Sequence, residues 1–72
     1  MIPSKISHQF GRLLREAREG EGLTQTQFAR RSRIPQPQLS KLENGQRLPQ
    51  FTTLRSLVKA LGAERAREFL LL

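Results

Sequence analysis

In the stretch SRIPQPQLSKLENG, residues 32–45, Gln36 and Gln38 each carry a carboxamide that donates and accepts at once, and Lys41 adds a flexible cation further along. A carboxamide can meet adenine N6 and N7 together, and a lysine ammonium can donate to guanine O6 and N7. Pro37 has no donor, so its ring offers only apolar contact, such as to a thymine methyl. The bland reading of the same residues is ordinary polar side chains at a helix start. Bond-making chemistry has much less to work with. Ser40 and Glu43 have no His or Lys arranged as a base–nucleophile unit, and no carboxylate pair falls in a plausible cleft. His8 is the single histidine and cysteine is absent, so neither an imidazole cluster nor a thiolate metal site can form. No enzyme, metal or cofactor is expected.

Those side chains reach a partner only if a helix presents them, and two prolines bracket Gln36 where that helix must begin. N–H groups in the first turn of a helix have no carbonyl partner within it, so proline there removes nothing that was bonded. With Pro35 as cap or first residue and Pro37 still in the first turn, the backbone is pre-set for an abrupt start. The helix then begins near Gln36 and presents Gln36, Pro37, Gln38, Ser40 and Lys41 from its N-terminal half. It ends at Asn44-Gly45, residues that readily take the left-handed conformation.

Upstream, Thr24 and Gln27 have capping-box spacing, which predicts a short helix from about Gln25 to Ser32. Phe10, Leu13, Leu14 and Ala17 recur at helical spacing opposite Arg12, Arg15, Glu16 and Glu19. They predict an amphipathic first helix from about Ser7 to Glu19, ended by Gly20 and Gly22. Phe51, Leu54, Leu57, Val58 and Leu61 predict a fourth helix stopped by Gly62. Ala63, Ala66, Phe69 and Leu70 allow a short fifth, although the final EFLLL alone fits a strand equally well. The expected fold class is all-α, a compact bundle of four to five short helices forming a single domain over residues 1–72.

Thirteen Lys and Arg against six Asp and Glu give a net charge of +7 on 72 residues. That balance favours a polyanionic partner over a merely solvated basic face. A chain this short has a core near the lower limit for folding unaided, which makes oligomerisation a reasonable expectation. No apolar run approaches the ~18 residues of a membrane span. The start MIPSKISHQF lacks the apolar stretch of a signal peptide. A cytoplasmic, nucleoid-associated location with no membrane partner is therefore expected.

Two short helices joined by a tight turn, in a basic chain, have the outline of a helix-turn-helix, here over about residues 24–45. The stretch LTQTQFARRSRIPQPQLSKLENGQRLP resembles the helix-turn-helix of the Cro and phage-repressor (XRE-like) family. Leu23-Thr24-Gln25, Phe28-Ala29, Ile34, Leu39, Leu42-Glu43-Asn44-Gly45 and Pro49 carry the resemblance, which runs from Phe10 to Gly62. It implies a lambda-repressor-like fold that binds an operator in double-stranded DNA, with Gln36 and Lys41 as the foremost base readers. It also implies phosphate contacts from Gln25, whose place at a helix N-terminus independently favours an anion, and from Asn44 and Arg47 on the other side of the groove. Arg18 and Glu43 correspond to a structural ion pair that ties two helices together. Arg30, Arg31 and Arg33 are open between solvent, a protein partner and DNA. Two departures stand out: Arg33 replaces the usual turn glycine, which puts a non-glycine residue near a left-handed backbone position, and Pro35 replaces the usual Ser or Thr cap.

Phe69, Leu70, Leu71 and Leu72 end the chain as consecutive apolar residues, an association-prone patch if left in water. Some can fold back on the fourth helix. The others point to a homodimer, with residues 63–72 as the dimerisation segment, since proteins of this type read pseudo-palindromes. The leading expectation is a dimeric, sequence-specific transcriptional repressor. Small antitoxins of the HipB and HigA kind also resemble the chain and would add a cognate toxin as partner. A restriction-modification controller, or an interaction module that has lost DNA binding, are the alternatives.

Overall fold

The computed structural model of the protein describes residues 4–72. Met1 to Pro3, at the head of the stretch read for a signal peptide, lie outside the described residues. Five helices follow one another: α1 (Ser4–Gly20), α2 (Gln25–Ser32), α3 (Gln36–Glu43), α4 (Phe51–Leu61) and α5 (Ala63–Leu70). The described residues contain no strand, so the chain is an all-α bundle. The final segment is helical because Ala66 and Phe69, three residues apart, share one face and bury it,.

Two of the helix boundaries set the geometry of everything downstream. Thr24 Oγ1 accepts from the Gln27 amide and the Gln27 carboxamide accepts from the Thr24 amide, a complete capping box at the start of α2,. At the other end, the amides of Arg33 and Ile34 turn back to Arg30 and Ala29 carbonyls. This closure holds Arg33 at φ 60°, the one non-glycine residue with positive φ among those described. Buried Ile34 anchors the turn in the core. Pro35 then caps α3 without any side-chain hydrogen bond, and its carbonyl accepts the Leu39 amide at 3.0 Å to close the first turn. Both prolines sit where no backbone donor is needed, as their spacing predicts.

α1 begins three residues before the expected Ser7. Ser7 lies inside the helix, 2% exposed, and its hydroxyl donates to the Gly45 carbonyl at 2.9 Å. One turn on, Gly11 is pressed against the end of α3. A Cβ there would stand 2.6 Å from the carbonyl oxygens of Leu42 and Glu43. Gly45, at φ 75°, ends α3 while its own Cα side faces His8. Thus α1 and α3 meet through backbone and small groups, an approach that no larger side chain allows.

Between these helices lies one core built from Phe10, Leu14, Phe28, Leu39, Leu42 and Leu57, completed by Ala66 and Phe69 of α5. Phe69 is 3% exposed and meets Phe10 edge-to-face, ring centroids 5.1 Å apart,. The assignment of Phe69 to a dimer surface is therefore corrected. The 3.6-residue period turns it inward with Ala66, while Leu70, Leu71 and Leu72 remain exposed.

Candidate nucleic-acid interface

The exposed side of α3 carries Gln36, Pro37 and Lys41, while Gln38 and Ser40 are half-buried at its edges. Residues two apart do not share a helix face, so Gln36 and Gln38 diverge. Gln36 Nε2 donates to Gln25 Oε1 at 3.3 Å, whereas Gln38 Nε2 lies 3.4 Å from Thr53 Oγ1 on α4. Gln38 lines a cleft of about 260 Å3 with Arg47, Leu48, Pro49 and Gln50. The structure thus groups Gln36 with Gln25 and groups Gln38 with Arg47.

Gln25 in turn donates from Nε2 to Glu43 Oε1 at 3.2 Å. Glu43 has a fully buried side chain and pairs with Arg18 through two hydrogen bonds of 2.7 and 3.0 Å. Arg18 also donates to the Leu23 carbonyl at 2.9 Å. Hydrogen bonding to Glu43 raises the Arg18 pKa above its ordinary value, against the opposing effect of burial. A chain of hydrogen bonds therefore runs from the surface of α3 to a buried ion pair.

Each carboxamide nitrogen carries two donors and each carboxamide oxygen two acceptor sites. Gln36 spends one N–H on Gln25 and keeps the other together with its Oε1, so the donor–acceptor pair that adenine requires is intact. Gln25 similarly keeps one N–H, at the start of α2 where the unpaired backbone amides and helix dipole favour an anion. Fixing these rotamers before a ligand arrives lowers the ordering cost of binding.

Asn44 sits at the end of α3 with its amide bonded to the Ser40 carbonyl. Its side chain is within 3.5 Å of both Ser40 Oγ and Arg15 Nη2, contacts at the outer limit of a hydrogen bond. Arg15, read from the sequence on the side of α1 opposite its apolar residues, stands between Asn44 and Glu43, its Nε 3.6 Å from Glu43 Oε1. The available signal was its three-residue spacing from Arg18, which puts both arginines over the same carboxylate. Ser7, Gly11 and Thr53 gave no comparable signal.

Lys41 and Arg47 are exposed and make no ion pair among the described residues. Arg30 and Arg33 are likewise exposed and unpaired. Arg31 instead meets Glu21 at 3.5 Å, and Glu21 also receives Arg65 of α5. Arg31 thereby helps join the end of α2 to α5. The described residues include no group of His, Cys, Asp or Glu arranged to hold a metal ion, and no helix among them is long and apolar enough to cross a membrane.

A family model for helix-turn-helix domains matches residues 9–70, nearly the whole of α1 to α5. The chain belongs to this helix-turn-helix family, within the XRE-like superfamily. No curated protein matches it.

Proposed function

We propose that the protein is a sequence-specific double-stranded DNA-binding transcriptional regulator, a dimeric repressor that reads a palindromic operator with α3 in the major groove. The observation that carries this reading is the Gln36–Gln25–Glu43 chain. It holds one base-reading carboxamide and one phosphate-binding carboxamide in register while leaving each with a free donor. Lys41 supplies a further donor to a base edge, and Pro37 an apolar surface for a thymine methyl. On this reading Gln38 reads from the groove edge or supports the loop that carries Arg47. Arg47 and Asn44 grip the backbone beyond α3. Ser40 orients Asn44 from one turn back.

Neither the cation balance nor the residues offer catalytic machinery in support of an enzyme, and no cofactor is needed for the binding chemistry. A location with the DNA, in the cytoplasm and on the nucleoid, follows from the function proposed. Exposed Leu70, Leu71 and Leu72 favour a protein partner as well. This supports the homodimer first and, as a second reading, an antitoxin of the HipB or HigA kind whose exposed apolar residues also meet a toxin. A controller of a restriction-modification system would use the same DNA contacts. A module that has lost DNA binding would have little use for unpaired Lys41 and Arg47.

The deciding experiment is a mobility shift of the promoter fragment upstream of the protein's own gene, in competition with random duplex. A shift that random DNA competes only at large excess is expected. Equal competition would overturn sequence-specific regulation.

A further inference from the structure

Apart from Gln36, Lys41 and Arg47, a second group of cations converges. Arg31 from the last turn of α2, Arg33 from the turn behind it and Lys59 from α4 line one cleft of about 430 Å3, whose walls are completed by Ser32, Ser56 and Ala60. No carboxylate lines it. Arg31 has only its 3.5 Å contact with Glu21, which Arg65 shares. The side chains of Arg33 and Lys59 make no ion pair or hydrogen bond among the described residues. The cleft shares no residue with the one that holds Gln38 and Arg47. Along α2 it lies at the far end from Gln25, about 10 Å away at 1.5 Å per residue.

Helix ends attract cations, because their last carbonyls carry partial negative charge. That accounts for Arg31 and Lys59, in the last turns of α2 and α4. It does not account for Arg33. The end of α2 is already closed by the amides of Arg33 and Ile34 and by the Ser32 hydroxyl, which donates to the Phe28 and Ala29 carbonyls. The backbone of Arg33 stands at φ 60°, strained for a side chain and free for glycine. Three cations facing one space also repel one another, and an anion between them turns that repulsion into attraction.

We infer that this cleft is a binding site for a small phosphate-bearing molecule, held between Arg33 in the turn and Lys59 on α4 with Arg31 beside it. The inference goes beyond the DNA-binding reading and does not depend on it. Its ligand class follows from the donors. Both serine hydroxyls spend their hydrogens on helix carbonyls, Ser32 as above and Ser56 on Thr52 at 3.2 Å, so only guanidinium and ammonium groups remain to donate. A guanidinium fork meets two phosphate oxygens at once, and a lysine adds a point charge. A carboxylate has only two oxygens, whereas a phosphate group offers three and up to two negative charges, enough for cations from three elements together. The volume lies within the ~300–1,000 Å3 of small-molecule sites.

The test is a titration of the full chain with pyrophosphate at constant ionic strength, followed by backbone amide shifts in NMR. Shifts should concentrate on Ser32, Arg33, Ser56 and Lys59. Arg33→Gly removes the cation and relieves the left-handed backbone, so the thermal midpoint should hold. Its dissociation constant for pyrophosphate should rise about tenfold, as loss of one charge-assisted hydrogen bond gives. Lys59→Gln, at an exposed position of α4, should have a similar effect and serves if Arg33→Gly alters the fold. Constants unchanged in the folded variants overturn the site, as do shifts spread evenly over Arg12, Lys41 and Arg47. The salt dependence of duplex binding separates a free phosphate compound from the DNA backbone as the source of phosphate. Arg33→Gly should leave that slope as in wild type. A slope lower by about 0.9 would put Arg33 on the DNA backbone and overturn a separate small-molecule site.

Discussion

At the scale of single residues, Gln36 donates to Gln25 and, on the function proposed, reads a base with its remaining donor and acceptor, and only this second task would depend on DNA sequence. Gln36→Ala should weaken operator binding by about 1–3 kcal/mol and leave random-duplex binding nearly unchanged, since it removes a base contact and no charge. Parallel titrations of operator and random DNA check this, and an equal loss on both would make Gln36 only a support for Gln25. Glu43 is the complementary case. Its carboxylate is fully buried against Arg18 and also accepts from Gln25. Glu43→Ala strands a buried guanidinium and should cost about 3–5 kcal/mol of stability in denaturant unfolding. The double change Arg18→Met with Glu43→Leu should cost much less than the sum of the two single changes. Additive losses would mean that the two side chains do not act as a pair. The raised Arg18 pKa keeps the cation through the neutral range; its contribution is lost only as strongly alkaline pH deprotonates it,.

At the scale of elements, the crossing of α1 over α3 decides how α3 is presented. Gly11 allows the two backbones to approach, and Ser7 bonds the Gly45 carbonyl one turn earlier. A methyl at Gly11 meets carbonyl oxygens that cannot swing aside like a flexible side chain. Gly11→Ala should therefore destabilise the fold by about 1–3 kcal/mol, against the usual gain from replacing a helical glycine by alanine. A thermal midpoint equal to or above wild type would show that α1 slides to absorb the methyl. In that event operator affinity should fall even though stability does not, because the Arg18–Glu43–Gln25–Gln36 chain begins on α1.

For the whole molecule, the controlling quantity is how many of the free cations lie on phosphates. Each phosphate neutralised releases condensed counterion, so log K falls against log salt with a slope of about 0.9 per contact. Arg47→Ala should reduce that slope by about one unit per protomer and weaken operator and random DNA alike. Lys41→Ala should in addition relax sequence preference, since its ammonium is read as facing a base edge. A salt slope unmoved in the Arg47 variant would remove this arginine from the phosphate contacts.

The sequence by itself determined what depends on neighbours along the chain. The Thr24–Gln27 box, the prolines at the start of α3, the closure at Gly45 and the faces of the helices involve groups within about one turn, where spacing alone sets which atoms can meet, while the left-handed position of Arg33 came from the family resemblance. Family resemblance supplied Arg18 with Glu43, which are 25 positions apart. Tertiary structure decided the rest, because it depends on how closely two helices can approach. Ser7, read only as the approximate start of α1, gives its hydroxyl to a carbonyl 38 positions away. Gly11 carries no pattern, and its meaning is the carbonyl pair facing it. The apolar run Phe69 to Leu72 is uniform as text, but the helix turns Phe69 into the core beside Phe10 and leaves three leucines in water. Gln25 and Gln36, 11 residues apart, could be named one by one for DNA. That they hold each other follows only from the angle at which the turn around Arg33 sets α3 against α2.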